Sequence, residues 1–187
     1  MDESKPDELA QNRERDYRRV VNAWAMYDWA NSSFAVVILT AIFPVYYRAL
    51  VINAGAAPQT ATAYWAYTTS LSLLGVAMIG PLFGAAADLL GAKKHFLAVA
   101  LSLGVLGTAS LAFLGGNEYL LGSLLFAVAN LGFAGGNIFY ESLLPQVARP
   151  NDLDRVSARG YALGYLGGGL LLVLNALWLY RPAWFWM

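Results

Sequence analysis

Apolar residues in this chain fall into long uncharged runs, separated by short stretches where charges, glycines and prolines gather. The first run, Asn22 to Tyr47, is longer than the ~20 residues a helix needs to cross a bilayer core of about 30 Å. Yet it carries an acid, Asp28, and an amide, Asn31. A carboxylate deep in a span costs roughly 2.5–3.5 kcal/mol on insertion scales, so such a residue faces other helices or a water-filled cavity. A spanning helix with a polar face implies a bundle around it.

The same pattern predicts spans over about 20–47, 63–87, 96–114, 119–144 and 157–180. Residues 1–19 form a polar tail, read either as a short helix from Asp7 to Arg19 or as a solvated, disordered segment. Pro44 falls near the far end of the first span, where a lost backbone bond is tolerable. Arg48 to Thr62, with Gly55 and Pro58, reads as a turn-rich connection. Tyr64, Trp65 and Tyr67 then open the second span as a headgroup-level aromatic group. Residues 115–118 turn the chain, and 145–156 form a loop with two prolines. The expected fold is all-α, a polytopic transmembrane bundle of about five spans.

Composition agrees with that layout. Of 187 residues, 58% are hydrophobic and 13% charged, against roughly 25% charged in a soluble domain. The formal net charge is zero, which gives no reason to expect a nucleic-acid partner. No cysteine is present, so disulfides and thiolate metal sites are excluded. The N-terminus has no apolar core and is not a cleavable signal peptide; the first span serves as insertion signal. Counted by side, the tail (Lys5, Arg13, Arg15, Arg18, Arg19), the second connection (Lys93, Lys94) and the fourth (Arg149, Arg155, Arg159) hold ten basic residues. The other side holds two, Arg48 and Arg181. That asymmetry places the N-terminus in the cytoplasm, in the plasma (inner) membrane if the source is bacterial.

Polar residues within the spans are candidates for function. Asn130, Asn137 and Glu141 lie within roughly 40° of one direction on the fourth span. Asp28 lies at a similar depth on the first. Two carboxylates at matched depth suggest a polar vestibule open to the cytoplasm, with either able to carry a proton in a coupled cycle. A structural reading stands beside this one: Glu141 pairs with Arg155 or Arg159, and Asp28 caps or bridges helices. Gly160, Gly164 and Gly168 recur every four positions on the fifth span and read as a close-packing face, as do Gly132, Gly135 and Gly136 on the fourth. His95, beside two lysines, reads as a headgroup contact. Asn31-Ser32-Ser33 matches a glycosylation sequon by chance, being inside a span. There is no nucleophile with a base, no metal-ligand spacing and no phosphate loop, so neither an enzyme nor a cofactor is expected.

The connection Gly84-Ala-Ala-Ala-Asp88-Leu-Leu-Gly91-Ala-Lys93-Lys94 resembles the signature loop of the major facilitator superfamily, with Leu89 where an arginine is usual. Residues 27–34, continuing through 37–44, look like the opening of its vacuolar amino-acid effluxer-like (autophagy-related permease) branch; so do residues 139–145 and 157–168. The resemblance covers about 22–170 and implies a permease of small solutes, with amino acids the class named for the fungal members. It implies two six-helix halves, of which this chain carries the N-terminal part. Asp28, Asn31, Asn130, Asn137 and Glu141 would line the solute path, with Tyr27 and Trp29 as a wall. Gly84, Asp88, Gly91, Lys93 and Lys94 would form the gating loop, with Gly84 allowing close helix contact. Partners would be the lipid bilayer, a small-molecule solute, and the missing C-terminal half or a second chain. The alternative is a non-transporting scaffold or truncated gene product acting through a partner chain, held by the glycine face of the fifth span.

Overall fold

The computed structural model describes residues 4–181, with side chains from Asp7 onward; Lys5 and residues 182–187 therefore lie outside the side-chain description. Helices run in the order α1 (Ser4–Ser33), a π-helical segment (Phe34–Ala41), α2 (Phe43–Asn53), α3 (Pro58–Leu89), α4 (Lys93–Ser110), α5 (Tyr119–Val147) and α6 (Leu153–Tyr180). No strand occurs among the described residues. Among the described residues, five helical stretches, Asp7–Asn53, Pro58–Leu89, Lys93–Phe113, Tyr119–Val147 and Pro150–Tyr180, are long and apolar enough to cross a membrane. Only helices and closed barrels can do so, because every backbone N–H and C=O must be satisfied away from water.

From Ser4 onward the polar tail is helical. Its residues belong to α1, which at 30 residues is about 45 Å long and so outreaches the hydrocarbon core. Further on, the backbone departs from α geometry just ahead of Pro44. Proline lacks an N–H, and its ring crowds the carbonyl four residues back. Here the π-helical turn takes up the mismatch: Ile42 N–H donates to the Val37 carbonyl at 2.8 Å, and Thr40 Oγ1 donates to the Ala35 carbonyl at 2.6 Å. A bend at Ile42 follows, and α2 then places Pro44 in its first turn. Where a connection is expected over 48–62, α2 continues to Asn53 and α3 begins at Pro58. Likewise α5 runs through Pro145 to Val147.

The chain forms two compact units, residues 1–33 with 143–187, and residues 34–142. In the first, α1 and α6 pack side by side. Val21, Trp24 and Ala25 of α1 are buried, as are Val156, Gly160, Gly164, Gly167 and Gly168 of α6. Those glycines fall at offsets 0, 4, 7 and 8, one face of a helix. The second unit has an aromatic centre, in which Phe43 stacks on Phe126 (5.6 Å between centroids, 8° between planes) and Trp65 leans on Phe126 at 4.7 Å. Many large apolar side chains point outward, such as Leu71, Met78 and Leu82 on α3. A bilayer solvates that surface, so helix association rests on close packing and interhelical hydrogen bonds rather than on escape from water.

Candidate functional site

Within the first unit, the candidate residues of α1 meet the glycine face of α6. Tyr27, Asp28, Trp29 and Asn31 are all half-buried. The Asp28 carboxylate lies over Gly164: a methyl placed there would sit 2.5 Å from Oδ2 and 2.6 Å from the Ser32 hydroxyl. Ser32 Oγ in turn donates to Asp28 Oδ1 at 3.5 Å. One turn along α6, Gly167 faces the Trp29 backbone carbonyl and the root of its indole. The glycine face therefore does more than let two backbones approach. It opens the space that a carboxylate occupies inside a span, which a bulkier α6 would fill.

The second unit holds the polar residues of α5, and they do not share one environment. Asn130 is fully buried, and its Nδ2 donates to Ser72 Oγ of α3 at 2.8 Å. Its Oδ1 accepts no hydrogen bond among the described residues. Asn137 is half-buried and Glu141 is exposed. Seven and eleven residues of helix bring the stripe from the core to the surface. A second polar string went unnoticed in the sequence: Tyr47 Oη lies 2.6 Å from Ser123 Oγ, and Thr68 Oγ1 donates to Ser123 Oγ at 3.0 Å. Single Ser, Thr and Tyr residues in an apolar run give no periodic signal, and only tertiary packing shows that these three converge.

The loop between α3 and α4 is closed by a specific set of bonds. Gly91 takes φ +60°; its N–H donates to the Asp88 carbonyl, while the Ala92 N–H reaches back to the Ala87 carbonyl. This is a Schellman ending, which places glycine in the left-handed region. Asp88 Oδ1 pairs with Lys93 Nζ at 2.7 Å, and Lys93 also donates to the Ser142 carbonyl at 3.4 Å. Lys94 is exposed. Gly84 differs from expectation: a methyl there would meet nothing within 4 Å. The close approaches are made instead at Gly104 and Gly107 of α4 and Gly132 of α5.

These two glycines give opposite expected outcomes. Gly84→Ala fills open space within a helix and is expected to raise the unfolding midpoint, by about 1 kcal/mol of stability. Gly91→Ala also meets nothing within 4 Å, so its cost is conformational alone, about 1–2 kcal/mol. Thermal unfolding in one detergent measures both; equal shifts would contradict the loop geometry.

The family model described as "Vacuole effluxer Atg22 like" matches residues 16–154. The chain belongs to this family. A curated relative of this Atg22-like chain, described as an uncharacterized MFS-type transporter, YxiO, of Bacillus subtilis (strain 168), is 40% identical over 154 residues. That alignment covers 82% of this chain and 36% of the relative, so the chain spans about a third of the relative's length. No solved structure matches. Family and helices together make the Atg22-like chain a multi-pass integral membrane protein of the major facilitator type. The match takes in α1 from Asp16 onward, the loop between α3 and α4 and the whole of α5.

Proposed function

We propose that this Atg22-like chain is the N-terminal part of a secondary-active permease for small solutes, with its N-terminus in the cytoplasm and, in a bacterium, in the plasma (inner) membrane. The observation that carries the reading is Asp28, a carboxylate kept within the apolar run of α1 in a space cleared by Gly164. Ionisable groups inside spans mark substrate, ion or proton paths. In this reading Asp28 binds a proton or a solute ammonium group, with Asn31 beside it as hydrogen-bonding partner and Tyr27 and Trp29 as wall. In the second unit, taken by itself, Asn130, with an acceptor oxygen already desolvated, Asn137 and Glu141 are the groups this reading gives to solute contact. The Asp88–Lys93 loop takes the gating role. Alternating access rocks one half against another around a midplane site, so a C-terminal half or second chain completes the machine.

Amino-acid efflux is the substrate reading, supported by the family resemblance and by the pairing of a carboxylate with an ammonium. The Lys and Arg asymmetry of ten against two supports the orientation. The scaffold alternative depended on a free glycine face on the fifth span, and α1 covers that face.

The test is amino-acid flux in vesicles carrying the polypeptide made from the native locus, its mass measured alongside. A species above about 40 kDa is expected, the length two six-span halves require. Asp28→Asn is expected to insert normally and to lower flux at least about tenfold, the loss of one charge-assisted hydrogen bond. Undiminished flux in that variant would remove Asp28 from the path.

A further inference from the structure

A cleft of about 460 Å³ lies in the first unit, between the charged part of α1 and the start of α6. Its charges are partly spoken for. Glu14 accepts from Arg149 at 2.8 Å and from Arg18 at 3.1 Å, and the Arg149 guanidinium also stacks 3.9 Å over the Tyr17 ring. Hydrogen bonds from Arg149 and then Arg18 hold the Glu14 carboxyl below the usual carboxylate range, so the acid stays ionised and occupied. Tyr17 Oη donates to Asp152 Oδ2 at 2.9 Å. Two lining guanidiniums remain, Arg155 and Arg159. They sit one turn apart on the same face of α6, exposed, with no carboxylate within 4 Å recorded among the described residues.

We propose that this cleft binds the phosphate of an anionic lipid headgroup, gripped by Arg155 and Arg159. Guanidinium forks match phosphate oxygens in pairs, and basic pockets between spanning helices are a recurring form of headgroup site. Two further features select a lipid over a soluble anion. The cleft is also lined by Val21 and Val156, both buried and apolar, which suits a glycerol and the root of an acyl chain. It also sits where α1 passes from Arg18-Arg19 to the apolar run beginning at Val20, the depth of a headgroup. A free phosphate or a phosphorylated metabolite shares the oxygen chemistry but has no use for the valines. Neither the charged tail nor the loop around Arg149 showed this in the sequence, although Tyr17, one aromatic among charges, was a signal.

The test is titration of the purified full chain in neutral detergent with phosphatidylglycerol, phosphatidylcholine or inorganic phosphate, read by native mass spectrometry. Phosphatidylglycerol is expected to bind more tightly than phosphatidylcholine, and R155Q/R159Q to weaken it about 30-fold. R155Q alone is expected to fall between, and provides the reading should the double variant misfold. R13Q/R19Q removes the same charge from α1 outside the cleft and is expected to change binding little. Displacement of phosphatidylglycerol by millimolar inorganic phosphate would keep the phosphate site but reassign it to a soluble anion. Equal losses in the two double variants, or no preference for phosphatidylglycerol, would overturn the site, leaving only general attraction between basic residues and an anionic surface.

Discussion

Gly132→Ala is expected to destabilise the chain by roughly 3 kcal/mol, the upper part of the range for overpacked cores. A methyl at Gly132 of α5 would overlap the Gly104 backbone nitrogen of α4 and lie 2.6 Å from both the Gly104 Cα and the Ala100 carbonyl oxygen. From the other side, a methyl at Gly107 would meet the Ala129 nitrogen at 2.8 Å and its Cα at 2.9 Å. Backbone therefore touches backbone at two successive points of the α4–α5 crossing. No rotamer change relieves such a contact, so the helices must separate and lose the van der Waals packing that holds them together in lipid. Gly135→Ala is the control: its methyl would reach only the Ala100 side chain, at 4.0 Å, and the gain in helix propensity, about 1 kcal/mol, should dominate. Unfolding midpoints in mixed micelles decide the matter. Equal midpoints for the two variants would mean that α4 and α5 do not approach this closely.

Gly167→Ala is expected to cost roughly 2–3 kcal/mol for the same reason at the α1–α6 contact. Its methyl would run into the Trp29 carbonyl and lie 2.9 Å from the indole root. Gly164→Ala makes an informative pair with it. There the obstructing atoms are the ends of two side chains, the Asp28 carboxylate and the Ser32 hydroxyl, which rotate aside more cheaply than a backbone moves. Gly164→Ala should therefore lose less stability than Gly167→Ala, while shifting the carboxylate that the proposed function depends on. Gly169→Ala meets nothing within 4 Å and is expected to gain about 1 kcal/mol from helix propensity. Thermal unfolding ranks the three, and flux through the native-locus polypeptide separates stability from function. If Gly164→Ala were the most destabilising, Asp28 would be held as rigidly as backbone.

The glycine face of α6 shows how far pattern alone could reach. A repeat of small residues at 160, 164 and 168 predicted close packing, and all three are buried. Which helix lies against them is a matter of chain topology, since α1 and α6 are far apart in sequence, and Gly167 joined the face only once the partner was known. Gly84 failed in the opposite way. It sits in a motif that suggests close contact, yet among the described residues nothing comes within 4 Å of a methyl placed there, because contact depends on a neighbour that spacing cannot supply.

Hydropathy and charge were enough to establish a helical membrane protein with about five spans, because a bilayer imposes a length and a polarity on every span regardless of its neighbours. The family was legible as well, in local runs around Asp28, the Asp88 loop and Glu141. Local geometry escaped where hydropathy carries no signal for it: the π-helical segment Phe34–Ala41, ahead of Pro44, lies within one uncharged run. The fate of each polar residue escaped for a related reason. Asn130, Asn137 and Glu141 share a helical direction, yet one is buried against Ser72, one half-buried and one exposed. Direction around a helix is a property of the segment, whereas burial and hydrogen-bond partners are properties of whatever packs beside it.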